Sequence, residues 1–188
     1  MAGRPRSEAC DRAIADATLA EYAAHGLAGL RIEAVAARAG VGKATIYRRH
    51  PTKSQLVAAA AGAIVGEVVR VPDTGSLRAD LLAMLGALRR ALADPVLGEV
   101  ARVLVAERDP VLVGVHADFV EQRRTATLAV LARAVERGEI PTPEDVEAAV
   151  DAVTAPLFWR HLGRRVRSDD RHVAAIVDDF LTRHGAPV

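Results

Sequence analysis

Apolar side chains recur every three or four residues along most of this chain, a spacing that admits amphipathic helices and little else. Leu77, Leu81, Met84, Leu85, Leu88 and Leu92 fall on one face of a helix over about 76–93. Ile32, Val35, Ala36 and Ala39 do the same over 32–39, and Leu56, Val57, Ala60, Ile64 and Val68 in a longer helix that follows Pro51. Composition points the same way. Apolar residues make up 51% of the chain but aromatics only 3%, so the core must be assembled from Ala, Val and Leu. Ala and Leu are strong helix formers, and an all-α fold is expected. The 188 residues suffice for one domain, or for a small domain fused to a larger one, and their core needs no covalent staple.

Glycines, prolines and capping residues divide the chain into about nine helices. Residues 1–7 read as a basic arm, whose Arg4 and Arg6 either enter a minor groove or stay disordered. The first helix is expected from Ser7, as N-cap, to His25, with Ile14, Ala17 and Tyr22 inward and Gly26 as its stop. Gly40 then turns the chain between helices 32–39 and 42–49; Val41 supplies an apolar plug and Ile46 faces inward. Thr52-Lys53-Ser54-Gln55 fits a capping box. Val71-Pro-Asp-Thr-Gly75 marks a domain junction. Five helices are expected beyond it: about 76–93; about 95–107; one with Asp109 as N-cap, Pro110 in its first turn and Gly138 as its stop; one opened by Thr142-Pro143-Glu144-Asp145, kinked at Pro156 and ending near Gly163; and about 170–184, closed by Gly185.

Several function classes lose support at once. Cys10 is the only cysteine, so no disulfide framework forms within the chain and a reducing cytoplasm fits. The N-terminus has no apolar signal segment, and the longest apolar run, Leu56 to Gly66, is too short to cross a bilayer, so no membrane partner is expected. The six histidines show no metal spacing. There is no nucleophile constellation and no glycine-rich phosphate loop, so neither enzyme chemistry nor a metal or cofactor is expected.

Charge is distributed unevenly. Residues 1–53 carry nine Lys or Arg against five Asp or Glu, a net of +4, whereas the rest nets −3. Residues 38–53 hold five basic groups and no acidic one, and the only two lysines, Lys43 and Lys53, lie there. Such a step is the footprint of a phosphate-binding surface, and equally of a solvated basic face. The motif favours the first reading. Two short helices joined by Ala-Gly-Val and preceded by a third make a helix-turn-helix, over about 31–50. Its second helix would enter the major groove, anchored by Ile46 and offering Lys43, Thr45, Tyr47 and Arg48 as donors to bases and phosphates. Free N–H groups around Thr52 and Lys53 make a further phosphate site. Tyr47 reads as a DNA contact rather than a core aromatic; Arg49 contacts DNA, pairs with an acidic neighbour or faces water.

The string from Gly26 to Lys53, with its Ala-Gly-Val-x-Lys-x-Thr-Ile-Tyr core, resembles the TetR/AcrR family of bacterial repressors over about residues 8–68. The resemblance implies a three-helix DNA-binding domain at 8–68, then a helical effector-binding and dimerisation domain at 76–185. It implies that Lys43 and Ala44 approach bases and the nearby backbone, that Thr45 and Tyr47 contact phosphate or base, and that Lys53 contacts phosphate. Three positions depart from the pattern. Arg31 replaces a capping Thr or Ser and adds a charge, Gly42 replaces a Ser and cannot donate a hydroxyl, and His50 replaces an aromatic anchor. These ten positions (Arg31, Gly42, Lys43, Ala44, Thr45, Tyr47, Arg48, Arg49, His50, Lys53) are the expected DNA-binding set.

In the C-terminal part, Phe119, Phe158 and Trp159, with Arg102, His116 and Arg123 as polar groups, read either as an effector pocket or as core and dimer packing. The resemblance implies a homodimer through about 143–184, with Phe180 and Leu181 at its interface. The expected function is a repressor that binds a palindromic operator in double-stranded DNA and releases it when a small molecule binds. An architectural protein that binds DNA without sequence preference, and a helical enzyme or interaction module that merely carries the motif, are the rivals.

Overall fold

The computed structural model describes residues 4–69 and 71–185. Among these residues it is built of nine α-helices and one π-helical turn: α1 (Arg4–Gly29), α2 (Ile32–Ala39), α3 (Lys43–Arg49), α4 (Lys53–Val68), α5 (Leu77–Ala93), α6 (Pro95–Val105), α7 (Pro110–Glu136), α8 (Val146–Phe158), the turn Trp159–Gly163, and α9 (Asp170–Arg183). The all-α expectation holds. No helix among the described residues is long and apolar enough to cross a membrane.

Helix α1 starts earlier than expected. Pro5 sits in its first turn, where a missing N–H costs nothing, so Ser7 lies inside the helix rather than capping it. Residues 1–3 and the side chains of Arg4 and Arg6, read above as an arm, lie outside the described residues. Gly26 takes φ 64° and ψ −176° and ends the regular run, after which one short turn reaches Gly29. Helix α8 starts later than expected. Pro141 and Pro143 bias the residues before them towards extended backbone, and Asp145, not Thr142, is the N-cap, its carboxylate accepting the Ala148 N–H at 2.9 Å. The kink expected at Pro156 takes another form. Proline leaves the Ala152 carbonyl without its helical donor, and three residues past it the chain widens into the π-turn, closed by Arg164 N–H donating to the Trp159 carbonyl at 3.0 Å.

The chain divides into two compact units. One holds residues up to Gly66 together with Pro95–Asp118. Here α1 packs against α2 and α6. Leu19, Tyr22, Leu30, Ile46, Leu56 and Leu112 are its largest fully buried side chains. The Tyr22 hydroxyl donates to Glu107 at 3.3 Å; burial, and then that carboxylate, push the phenol far above its ordinary pKa, so it stays a donor. The Ser54 hydroxyl donates to Asp109 at 2.7 Å, while the other Asp109 oxygen accepts the Val111 and Leu112 N–H groups, so one carboxylate caps α7 and ties it to α4.

The other unit holds Glu67–Asp94 and residues from Phe119 on. Helix α5 packs against α9 and α8. Its apolar face is the one expected: Leu77, Leu81, Met84, Leu85 and Leu88 are buried. Phe180 and Leu181 sit in this same core, 2% and 1% exposed, so they are interior residues of one chain and cannot form a dimer surface. The buried Asp80 carboxylate accepts both the N–H and the hydroxyl of Thr74 at 2.7 Å, which fixes the Val71–Gly75 segment onto α5.

Candidate DNA-binding site

The turn between α2 and α3 is a closed helix stop. Gly40 adopts φ 67° and ψ 31°, its N–H donates to Ala37 and that of Val41 to Ala36. These two bonds satisfy the last carbonyls of α2 and place Val41 against the core. Helix α3 is therefore only seven residues long and leaves the turn at a fixed angle. Ile46 is its only buried side chain, 0% exposed. Around it, Lys43, Ala44, Tyr47, Arg48 and Arg49 are exposed, and Thr45 is half-buried. Tyr47 is 50% exposed, which removes the core-aromatic reading. His50, at the C-cap, is half-buried, its backbone N–H bonded to the Ile46 carbonyl. Gly42 is an extended N-cap and makes no side-chain cap bond.

The next helix opens as its sequence indicates. Thr52 and Gln55 form a reciprocal capping box: the Gln55 backbone N–H donates to the Thr52 hydroxyl at 3.2 Å, and the Thr52 backbone N–H to the Gln55 side-chain amide oxygen Oε1 at 3.3 Å. Lys53, in the first turn, is exposed and reaches back to the Ala28 carbonyl at 3.4 Å.

What the sequence does not reveal is a set of acidic partners behind the basic face. Lys43 donates to Glu33 at 3.0 Å; that bond is the main reason the Glu33 carboxyl lies below its ordinary pKa and the Lys43 ammonium above. Arg49 pairs with Asp11. Arg31 lies 3.4 Å from Glu21, a nearly buried carboxylate, so the charge it adds is partly spent inside the unit. Arg48 has no charged partner among the described residues and faces solvent. The exposed face of α3 is thus Lys43, held by Glu33, together with Ala44, Tyr47 and Arg48, with Thr45 beside them: two cations, a small apolar contact and hydroxyls on one short helix, the chemistry that major-groove contact uses.

Comparison with known proteins agrees with this geometry. Residues 14–60 match the family described as "Bacterial regulatory proteins, tetR family", and residues 71–180 match "Tetracyclin repressor-like, C-terminal domain". The chain belongs to the TetR family. This TetR-family regulator is 34% identical over 158 residues to an HTH-type transcriptional regulator of Mycobacterium tuberculosis, covering 84% of this chain and 78% of that one. It is 35% identical over 156 residues to a protein named DNA-binding transcriptional repressor TetR from Mycobacteroides abscessus, with 80% of each covered. Among solved structures, the TetR family transcription regulator SCO0332 superposes with a TM-score of 0.67 at 31% identity, over 90% of this chain and 94% of that one. The regulator is therefore a DNA-binding protein of transcription.

The six residues read as effector candidates do not all meet. Arg102, held by Glu99 at 2.5 Å, and half-buried His116 belong to the first unit. Phe119, Arg123, Phe158 and Trp159 belong to the second and come together there. The Arg123 guanidinium stands 5.8 Å from the Phe119 ring centre and 5.4 Å from that of Phe158, and the two rings meet edge-on at 6.4 Å and 84°. Beside them a cleft of about 610 Å³ opens between α7 and α8, lined by Val120, Arg123, Val150, Phe158, Trp159 and Leu162 among others. Gly163 also belongs to this place: a Cβ there would come within 2.5 Å of the Trp159 indole. The four-residue spacing of Trp159 and Gly163 was the available signal for that contact.

Proposed function

We propose that the regulator is a homodimeric repressor that binds a palindromic operator through α3 and releases it when a small molecule occupies its C-terminal helices. The carrying observation is the division of labour on α3. Ile46 alone serves the core, and Lys43, Tyr47 and Arg48 are left exposed for DNA. In this reading residues 8–68 bind DNA and 76–185 bind effector and second copy. Lys43, Ala44, Tyr47 and Arg48 enter the groove, with Thr45 and Lys53 on phosphate. Arg31, Gly42, Arg49 and His50 shape the surface around them. The two copies associate through α8 and α9 over about 143–184, whose outward positions include Ala148, Ala175 and Asp179. Two α3 helices then meet successive major grooves about 34–36 Å apart. The effector acts only if it binds the DNA-incompetent arrangement more tightly, and that difference sets the extent of release. The relative named as a repressor, 35% identical, supports the sign of the regulation.

The test is binding to the intergenic DNA beside the protein's own gene, against scrambled duplex, over a range of salt. A palindromic footprint bound at least a hundredfold more tightly than scrambled DNA supports the proposal. Equal affinity for every duplex, varying only with salt, would sink it in favour of an architectural role. Lys43→Ala lowers the salt slope by about one unit per copy, and Tyr47→Ala weakens operator binding with dimerisation intact.

A further inference from the structure

We infer that the cleft between α7 and α8 takes an amphipathic anion: an apolar small molecule whose carboxylate or other oxyanion pairs with Arg123. This rests on the effector reading above and names the class of ligand.

Arg123 is 5% exposed, yet its Nε and Nη2 are sealed from water without a hydrogen-bond partner. No carboxylate among the described residues pairs with it. Its neighbour Arg124 shows the contrast, held by Glu147 and by Glu121 at 3.3 Å. Two aromatic faces are the main company Arg123 keeps, and loss of hydration pulls its pKa down to about 10, so it remains a cation at neutral pH. A buried cation without a counter-charge is costly, and a site built to hold one gains most from a ligand that supplies the missing charge. The cleft it borders has the volume of a small-molecule site and walls of Val120, Val150, Phe158 and Leu162, which suit an apolar body. Its two carboxylates do not compete. Glu147 is engaged by Arg124, and Asp151 is exposed to screening solvent.

Trp159 adds an independent observation. It is 65% exposed, but its placement is built: the π-turn starts on it, and its indole lies across Gly163 where no Cβ could stand. π-turns occur frequently at functional sites, and tryptophan is enriched where an apolar surface meets water at an interface.

Trp159 is the chain's only tryptophan, so the full-length protein reports on the cleft by its own fluorescence. Titration with dodecanoate is expected to shift that emission saturably, with dodecanol and dodecyltrimethylammonium at least tenfold weaker. Arg123→Gln and Arg123→Met should lose tenfold or more in dodecanoate affinity, and Arg123→Lys should recover part of it. Both neutral variants remove an unpaired buried charge, so they keep or raise the melting temperature. Gly163→Ala displaces the indole, and should alter the emission and weaken dodecanoate with Arg123 intact. Failure of dodecanoate to bind the wild type, equal affinity for dodecanol, or indifference to Arg123→Gln overturns the inference. Operator affinity is read separately. Arg123-dependent binding of dodecanoate that leaves operator affinity unchanged keeps the anion site and removes the effector reading. Release of operator by dodecanol, undiminished in Arg123→Gln, keeps the effector reading and removes the anion site.

Discussion

Replacing Ile46 with Ala separates the two duties of α3. The side chain is fully buried and is the only one that ties this seven-residue helix into the core. Removing three carbons forfeits about 0.8 kcal/mol each in transfer free energy, about 2.4 kcal/mol together. The cavity left behind adds to this, and buried large-to-Ala changes span about 2–5 kcal/mol. Helix α3 is exposed on its other faces and can settle towards the gap, so about 3 kcal/mol is expected, the lower half of that range. For a chain of this size that corresponds to a fall of about 6–12 °C in melting temperature. Tyr47→Ala, at a position 50% exposed, should move stability by no more than about 0.5 kcal/mol. Thermal unfolding followed by circular dichroism, paired with operator titration by fluorescence anisotropy at fixed salt, reads both. Ile46→Ala should lose stability and operator affinity together, the latter by the fraction of molecules whose α3 is undocked. Tyr47→Ala should lose affinity alone. An Ile46→Ala protein that melts within about 2 °C of the wild type and binds operator normally would refute the claim that this one side chain docks the helix.

Gly40→Ala forces a left-handed residue to carry a Cβ; nothing lies within 4 Å of that Cβ, so the cost is conformational alone, about 1–2 kcal/mol in chemical denaturation. Glu33→Gln frees Lys43 and removes a negative charge from the DNA-facing side, so operator affinity should rise, by about tenfold at most at low salt, with the gain vanishing at high salt. Asp169 caps α9, and the His172 N–H is the main cause holding its carboxyl below its ordinary pKa. Its folded value is lower than its unfolded one, so its contribution is fully present above about pH 4 and fades as pH falls through the folded value. Asp169→Asn should therefore flatten the acid limb of the stability curve.

Much of the fold could be read locally. The Thr52–Gln55 box, the Asp109-Pro110 start, the glycine stop at Gly40 and the leucine face of α5 each depend on residues within a turn or two, and all stand as expected. The misreadings have non-local or competing causes. The resemblance implies Phe180 and Leu181 at a dimer interface, but α5 and α8 cover them. Two prolines delay the start of α8 to Val146. Nothing in the sequence of α6 says that it packs on α1, because that contact joins residues far apart in the chain. At the site, the pattern marks which residues line α3 but not their partners. Lys43 and Glu33 are ten residues apart, and only the Gly40 turn brings them to 3.0 Å. The sequence also leaves open whether the aromatics group; the structure brings Phe119, Arg123, Phe158 and Trp159 together and leaves Arg102 and His116 in the other unit.

That only Ile46 of residues 43–49 answers to the core bears on how such a protein changes over time. Substitutions at the outward positions alter what the helix reads and leave folding almost untouched, so a duplicated copy can drift to a new operator through viable intermediates. The stop at Gly40 and the peg at Ile46 act as a fixed socket, and the face they present is an exchangeable key.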